Sequence, residues 1–244
     1  MAAAIFLFPG TVFSQTPQPQ QQSSTPQPQL PPPPIPRPAP PLGVLVIDPA
    51  HGATDSGAKG EKGVAEKDVV LFLAQSLKWE LERQGIRVIL TRQGDSAASF
   101  DDRAAIANVL PNAVFLSLHV SSTGKPGIAT AYSQTPPTGG MLERRDPGAP
   151  VPWEEAQLAY IADSRRLAEF LQIQLAQKFP GSPESPSSGN VRQLRLVTHP
   201  AVAIELSSVD LPDAKPLERM APGLAESISR ALAAFRQTAG AAKP

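Results

Sequence analysis

The chain has 244 residues, with 22 Lys plus Arg against 22 Asp plus Glu, a formal net charge of zero and no cysteine. Without thiols there is no disulfide, no thiolate nucleophile, no zinc–thiolate site and no lipidated cysteine. No basic block stands out, so nucleic acid is not an expected partner.

Taken in chain order, "MAAAIFLFPGTVFSQ" is a short apolar stretch ending in Val12-Phe13-Ser14, a small-x-small pattern before Gln15. It reads as a secretory signal peptide over residues 1–14, and predicts a periplasmic or secreted protein. Residues 15–42 are almost entirely Pro, Gln, Ser and Thr. Proline fixes φ and removes a backbone donor, so this tract is expected to be a disordered or polyproline spacer. The remaining 43–238 suffice for one domain with a sizeable core. No later segment is long and apolar enough to span a bilayer, so no transmembrane anchor is expected. A monomer is expected.

Residues 43–48, "GVLVID", form a buried strand run, and 49–65 is a Gly-rich polar loop. Glu66 to Arg83 reads as a helix, with Val69, Leu73, Leu77 and Leu81 on one face and Gln84-Gly85 closing it. "IRVILTR" (86–92) is a second strand. Asp101 or Asp102 is the expected cap of a helix running to Val109, with Ala105, Ile106 and Val109 as its apolar face. Strands follow at 113–120 and 127–133, then a loop over 134–152 too short and too rich in Gly and Pro for a blocking helix. A long helix is predicted from Trp153 to Lys178, a loop over 179–190, a strand "VAIEL" at 202–206, and a last helix from Leu217 to Phe235. Strands alternating with helices predict an α/β three-layer sandwich with a mostly parallel central sheet flanked by helices. Ligands in such sheets bind outside the carboxyl ends of the strands.

Two of the three histidines, His51 and His119, directly follow or end apolar strands. On parallel neighbouring strands, both imidazoles share one sheet edge. Glu205 lies inside an apolar strand, where an unpaired carboxylate is costly. Glu66 opens the helix after the loop leaving His51. Two imidazoles and a carboxylate with one open position make the ligand set of a catalytic zinc site. A second carboxylate then has a proton to carry. Each residue alone has a plainer reading. Glu66 suits any helix first turn, and Glu205 has Arg192 or Arg195 as possible ion-pair partners. His199, in a loop before Pro200, is read as non-catalytic, with a substrate-side role left open by its nearness to Glu205. A G-x-S-x-G elbow, a P-loop, G-x-G-x-x-G after a strand, and H-E-x-x-H are all absent.

The motifs in order are "DPAHGATDSGA" (48–58), "GVAEKD" (63–68), "LTR" (90–92), "RAAIAN" (103–108), "SLH" (117–119) and "AIELSS" (203–208). In this order and spacing the chain from about 43 to 235 resembles the zinc-dependent N-acetylmuramoyl-L-alanine amidases. The resemblance implies that His51, Glu66 and His119 bind Zn2+, and that Glu205 is the general base and proton shuttle. It implies peptidoglycan as substrate, cut between N-acetylmuramic acid and L-alanine of the stem peptide. Asp48 becomes a candidate to orient an imidazole or cap the loop. Arg92, Arg103 and Asn108 become scaffold residues, expected to act through ion pairs to loop acids. Ala50 and Ala53 stand where the family has glycines, so Ala50 must keep a negative φ. Leu-Ser-Ser follows Glu205 where the family often has Gly-Phe, which alters the cleft wall. A wall-binding domain without catalysis and a zinc peptidase cutting within the stem remain rival readings.

Overall fold

The computed structural model describes residues 43–135 and 153–239. The signal-peptide and spacer expectations, and most of the 134–152 loop, lie outside the described residues. The elements are β1 (Val44–Pro49), α1 (Glu66–Arg83), β2 (Val88–Leu90), α2 (Phe100–Asn108), β3 (Ala113–Val120), β4 (Ile128–Gln134), α3 (Ile161–Lys178), β5 (Ser187–Gly189), β6 (Ala201–Ser207), α4 (Lys215–Glu218) and α5 (Ala221–Ala239). The strands form one sheet in the order β2-β1-β3-β6-β4-β5. Every neighbouring pair is parallel except β4 with β6. The sheet is therefore mixed and mostly parallel, as expected.

Each sheet face buries a different set of side chains, because successive strand residues point to opposite sides. One face carries Leu45, Ile47, Leu116, Leu118, Val202 and Ile204, packed under α1, α3 and α5 as the larger core. The other carries Val44, Val46, Phe115, Ala201 and Ala203 beneath Ala104 and Ala107 of α2 and the turn holding Leu194 and Val197. By strand alternation this second face continues toward the strand carboxyl ends as Asp48, Ser117, His119 and Glu205.

α1 follows its sequence reading closely. Val69, Val70, Leu73, Ala74, Leu77 and Leu81 are all buried. Its end is a Schellman motif: Gly85, at φ 80°, donates to Glu82 O and Ile86 donates to Leu81 O. α2 departs from the reading at both cap and face. Ser99 is the N-cap, its hydroxyl accepting from Asp102 N–H while Asp102 accepts from Ser99 N–H, so Asp102 is the reciprocal partner in a capping box. Ala104 and Ala107 are buried, whereas Val109 is 78% exposed. The helix is turned to send Arg103 inward, and an arginine with a buried partner outweighs one valine in setting that rotation.

Other boundaries moved as well. The stretch 153–160 is a 3-10 helix, and α3 begins only at Ile161. Short β5 lies within the expected 179–190 loop, and β2 spans only Val88–Leu90 of the expected 86–92. Leu217 belongs to the separate short α4, and the last helix starts at Ala221 with Pro222 in its first turn. Gln172, fully buried on α3, accepts from Ala131 N–H and donates to Ala129 O and Pro183 O. It satisfies polar backbone of β4 that the short β5 does not reach.

Candidate active site

β1 and β3 are parallel neighbours, with Pro49 beside Leu118. His51 and His119 therefore leave the sheet at the same edge. Their rings lie 5.6 Å apart and nearly perpendicular, at 89°. Between them stands Glu66. Its Oε2 is 3.1 Å from His51 Nε2, and its Oε1 is 3.1 Å from His119 Nδ1. One donor atom from each of the three lies within 4.8 Å of the others.

Glu66 is only 4% exposed and is held by backbone as well. Val120 N–H donates to Oε1 at 2.9 Å and Ala58 N–H donates to Oε2 at 2.8 Å. Burial by itself raises a carboxyl pKa, but here hydrogen bonding by His119, His51 and the two N–H groups outweighs it and holds Glu66 well below the ordinary carboxylate range. The same contact with Glu66 is the chief reason the His51 pKa is raised, with Asp55 adding to it and burial opposing.

The loop from His51 to Ala65 folds back because its own carbonyls cap α1. Glu66 N–H donates to Ala58 O at 2.8 Å and Lys67 N–H to Ser56 O at 3.2 Å, which replaces a side-chain cap on Ala65. Gly57, at φ 62°, passes so close that a Cβ there sits 2.4 Å from Glu66 Oε2 and 2.6 Å from His51 Cδ2. His51 has φ 64° and Ala53 φ 51°. Ala50 is absent from the positive-φ residues and so meets its condition, whereas Ala53 takes a backbone state that favours glycine. Its N–H donates to Asp95 Oδ1 at 2.7 Å, its carbonyl accepts from Lys67 Nζ at 2.9 Å, and Lys67 and Asp95 pair with each other.

Two buried arginines hold the three carbonyls leading into this loop. Arg92 donates to Pro49 O at 2.8 Å, Ala50 O at 2.9 Å and Lys67 O at 2.8 Å. Arg103 donates to Pro49 O at 2.9 Å and His51 O at 2.7 Å, and pairs with Asp48. The expectation of ion pairs to loop acids is thus corrected: backbone carbonyls are the main acceptors, and the one paired acid sits on β1. Of the loop's acids, Asp55 is engaged by His51 and by Gly57 N–H instead. Asn108 works elsewhere, tying Leu196 O and Thr198 N–H to α2 at 2.8 Å each.

Asp48 neither contacts the His51 ring nor caps the loop. Fully buried, it accepts from Thr91 and Arg103 on Oδ1 and from Ser117 Oγ at 2.9 Å on Oδ2. Ser117 Oγ in turn lies 3.3 Å from His119 Nε2. On the far side, His51 Nδ1 is 2.8 Å from Asp55 Oδ2. The sequence reading gave Asp55, Gly57 and Ser117 no role, although each is a letter of a motif it quotes: Asp55 and Gly57 in D-S-G-A, Ser117 in S-L-H.

Glu205 sits beside His119 in the β3–β6 ladder. It is half-buried and has no arginine partner among the described residues. Burial is the main cause of its raised pKa, His119 opposing and the Glu66 charge adding. His199 lies before the other end of β6, about 20 Å of extended chain away, so its nearness to Glu205 holds only in sequence. Its imidazole lies 6.0 Å from the Tyr160 ring, and its buried Nε2 has no hydrogen-bond partner among the described residues.

The chain as a whole is similar to known proteins. A family profile described as N-acetylmuramoyl-L-alanine amidase matches residues 45–234. N-acetylmuramoyl-L-alanine amidase AmiA of Escherichia coli is 40% identical over 88 residues, 36% of this chain and 30% of that protein. The probable cell wall amidase LytH of Staphylococcus saprophyticus is 28% identical over 170 residues, 69% of this chain and 48% of that protein. The matched stretch thus spans less than half the length of either relative. Among solved structures, the amidase Ami1 of Mycobacterium smegmatis superimposes with a TM-score of 0.59 at 21% identity, covering 81% of this chain and 98% of that one. AmiC2 of Nostoc punctiforme gives 0.58 at 23%, covering 78% and 97%. At these identities the structural likeness speaks for the fold, while the family match spans most of the chain. This chain belongs to the N-acetylmuramoyl-L-alanine amidase family.

Proposed function

We propose that the chain is a zinc-dependent hydrolase of peptidoglycan, cleaving the amide between the lactyl group of N-acetylmuramic acid and L-alanine of the stem peptide. The observation that supports this most is the carboxylate of Glu66, buried and reached from both sides by His51 and His119 within one 4.8 Å cluster. A buried carboxylate facing two imidazole nitrogens suits a cation, and a His-Glu-His donor set with an open side suits catalytic zinc. Zinc held by these three residues supplies a Lewis acid for the scissile carbonyl and makes water more acidic.

Glu205 takes the proton of the attacking water on a carboxylate oxygen and delivers it to the alanine nitrogen as the amide breaks. The products are the lactyl carboxylate and a stem peptide with a free amine. A carboxyl whose pKa burial has raised suits a group that must both accept and give a proton. Backbone N–H groups keep Glu66 fixed, and the arginine-bound loop keeps His51 from swinging away. No helix among the described residues is long and apolar enough to cross a membrane. The wall substrate fits a periplasmic or secreted location, with residues 1–14 as export signal, 15–42 as spacer and 43–238 as the catalytic domain.

The test is digestion of purified sacculi by the zinc-loaded chain, with products read by mass spectrometry. Intact stem peptides bearing L-alanine amino termini are expected. Internally cut stems indicate a peptidase instead, and unchanged sacculi indicate a binding domain; either result overturns the assignment.

A further inference from the structure

We propose that Ser117 and Asp48 form a positioning pair that selects which nitrogen of His119 faces the metal position, so that the two histidines serve in opposite tautomers. This deepens the metal-centre reading above and rests on it.

Counting hydrogens carries the argument. Ser117 has one hydroxyl hydrogen, and it goes to Asp48 Oδ2 at 2.9 Å. Asp48 is paired with Arg103 and accepts from Thr91 as well, so its oxygens serve as acceptors here. Ser117 Oγ therefore has only lone pairs for His119 Nε2, 3.3 Å away. That selects N–H at Nε2, so that Nδ1, which hydrogen-bonds Glu66 Oε1 at 3.1 Å, is the nitrogen that gives up its proton and offers its lone pair when a cation binds.

At His51 the roles of the nitrogens are exchanged. Nδ1 lies 2.8 Å from Asp55 Oδ2, a carboxylate that only accepts. The N–H is held at Nδ1, so that Nε2, which hydrogen-bonds Glu66 Oε2 at 3.1 Å, offers its lone pair when a cation binds. The hydrogen bond made by one ring nitrogen thus decides what the other offers. The two orienting groups differ in setting. Asp55 has a 67% exposed side chain, so water can replace it as an acceptor. Ser117 is completely buried, and no water stands ready to replace its oxygen. Losing Ser117 is therefore expected to weaken metal binding more than losing Asp55.

The experiment labels the histidines of the full chain with nitrogen-15 and records long-range proton–nitrogen spectra with zinc bound. His119 is expected to carry its proton on Nε2 with the zinc-induced shift on Nδ1, and His51 the reverse. Ser117→Ala is expected to lose about tenfold or more in zinc affinity by chelator competition. Thr91→Val removes a hydrogen bond from the other oxygen of Asp48 without touching His119. It is expected to stay within about twofold of wild type, with the His119 pattern intact. Zinc on Nε2 of His119, or equal affinity losses in the two variants, overturns the positioning pair. If Ser117→Ala does not fold, the wild-type spectrum decides by itself. A wild-type chain in which zinc shifts neither imidazole overturns the metal centre, a result distinct from the other two.

Discussion

His119 and Glu205 are direct partners in the parallel ladder of β3 and β6, side by side on one face of the sheet. The proton carrier proposed here is therefore set by strand register, and a slip of one residue turns it to the opposite face. Glu205→Gln keeps the shape and leaves all three donors of the His51–Glu66–His119 cluster in place. Zinc content by elemental analysis is expected to match wild type, while turnover of sacculi falls by a factor of about 10²–10⁴. Full activity in this variant removes Glu205 from the mechanism.

Gly57 is the one glycine whose missing Cβ makes room for the cluster, with Glu66 Oε2 at 2.4 Å and His51 Cδ2 at 2.6 Å from where that atom stands. Its φ of 62° adds backbone cost to any side chain. Gly57→Ala is expected to reduce zinc affinity by more than about tenfold, on the scale of displaced metal-site partners. Thermal stability without metal is expected to fall by about 1–3 kcal/mol. Chelator competition and a melting curve in excess chelator separate the two effects.

Ala53 presents the opposite case. At φ 51° it carries the left-handed penalty of an L-residue, and its N–H and carbonyl are held by Asp95 and Lys67. Glycine relieves that strain but gains freedom in the unfolded chain, two terms of about 1 kcal/mol each. Ala53→Gly is expected to fall between neutral and about 1 kcal/mol more stable by urea denaturation. A clear loss of stability contradicts the strain assigned to Ala53.

Arg103 pairs with an acid that has no exposed surface, and it also carries the Pro49 and His51 carbonyls. Arg103→Met leaves the buried Asp48 without its ion-pair partner. The expected cost is about 3–5 kcal/mol in chemical denaturation. Glu82→Gln, which breaks an exposed pair with Lys78 on α1, is expected to cost under about 1 kcal/mol.

His199 supplies a pH prediction away from the His51–Glu66–His119 cluster. Burial lowers its pKa from the ordinary value of 6.5, and the nearby backbone of Ala107 and Leu110 opposes this only in part. The unfolded chain therefore binds the proton more readily than the folded one, so this contribution is complete above the unfolded pKa and is lost as pH falls through the lower folded value. Urea midpoints at pH 7 and pH 5 are expected to differ less in His199→Gln than in wild type. An unchanged difference argues against a neutral buried His199.

The sequence by itself determined the order of the main strands and helices, apart from the short β5 and α4, and the face of α1, and it marked His51, Glu66, His119 and Glu205 as candidates, of which the fold brings the first three into one cluster. These are local properties, because apolar periodicity and the rarity of a charge inside an apolar strand are visible along the chain. It did not determine the rotation of α2, the cap at Ser99, or the break between 153–160 and α3. The rotation was decided only by the tertiary structure, since the buried Arg103–Asp48 pair joins residues 55 positions apart and overrides the helix's own apolar pattern. The same holds for Ser117, Asp55 and Gly57. A serine, an aspartate and a glycine are ordinary in any loop or strand, and they acquire their roles when folding brings them within bonding or van der Waals distance of imidazoles and a carboxylate that the chain order keeps far apart.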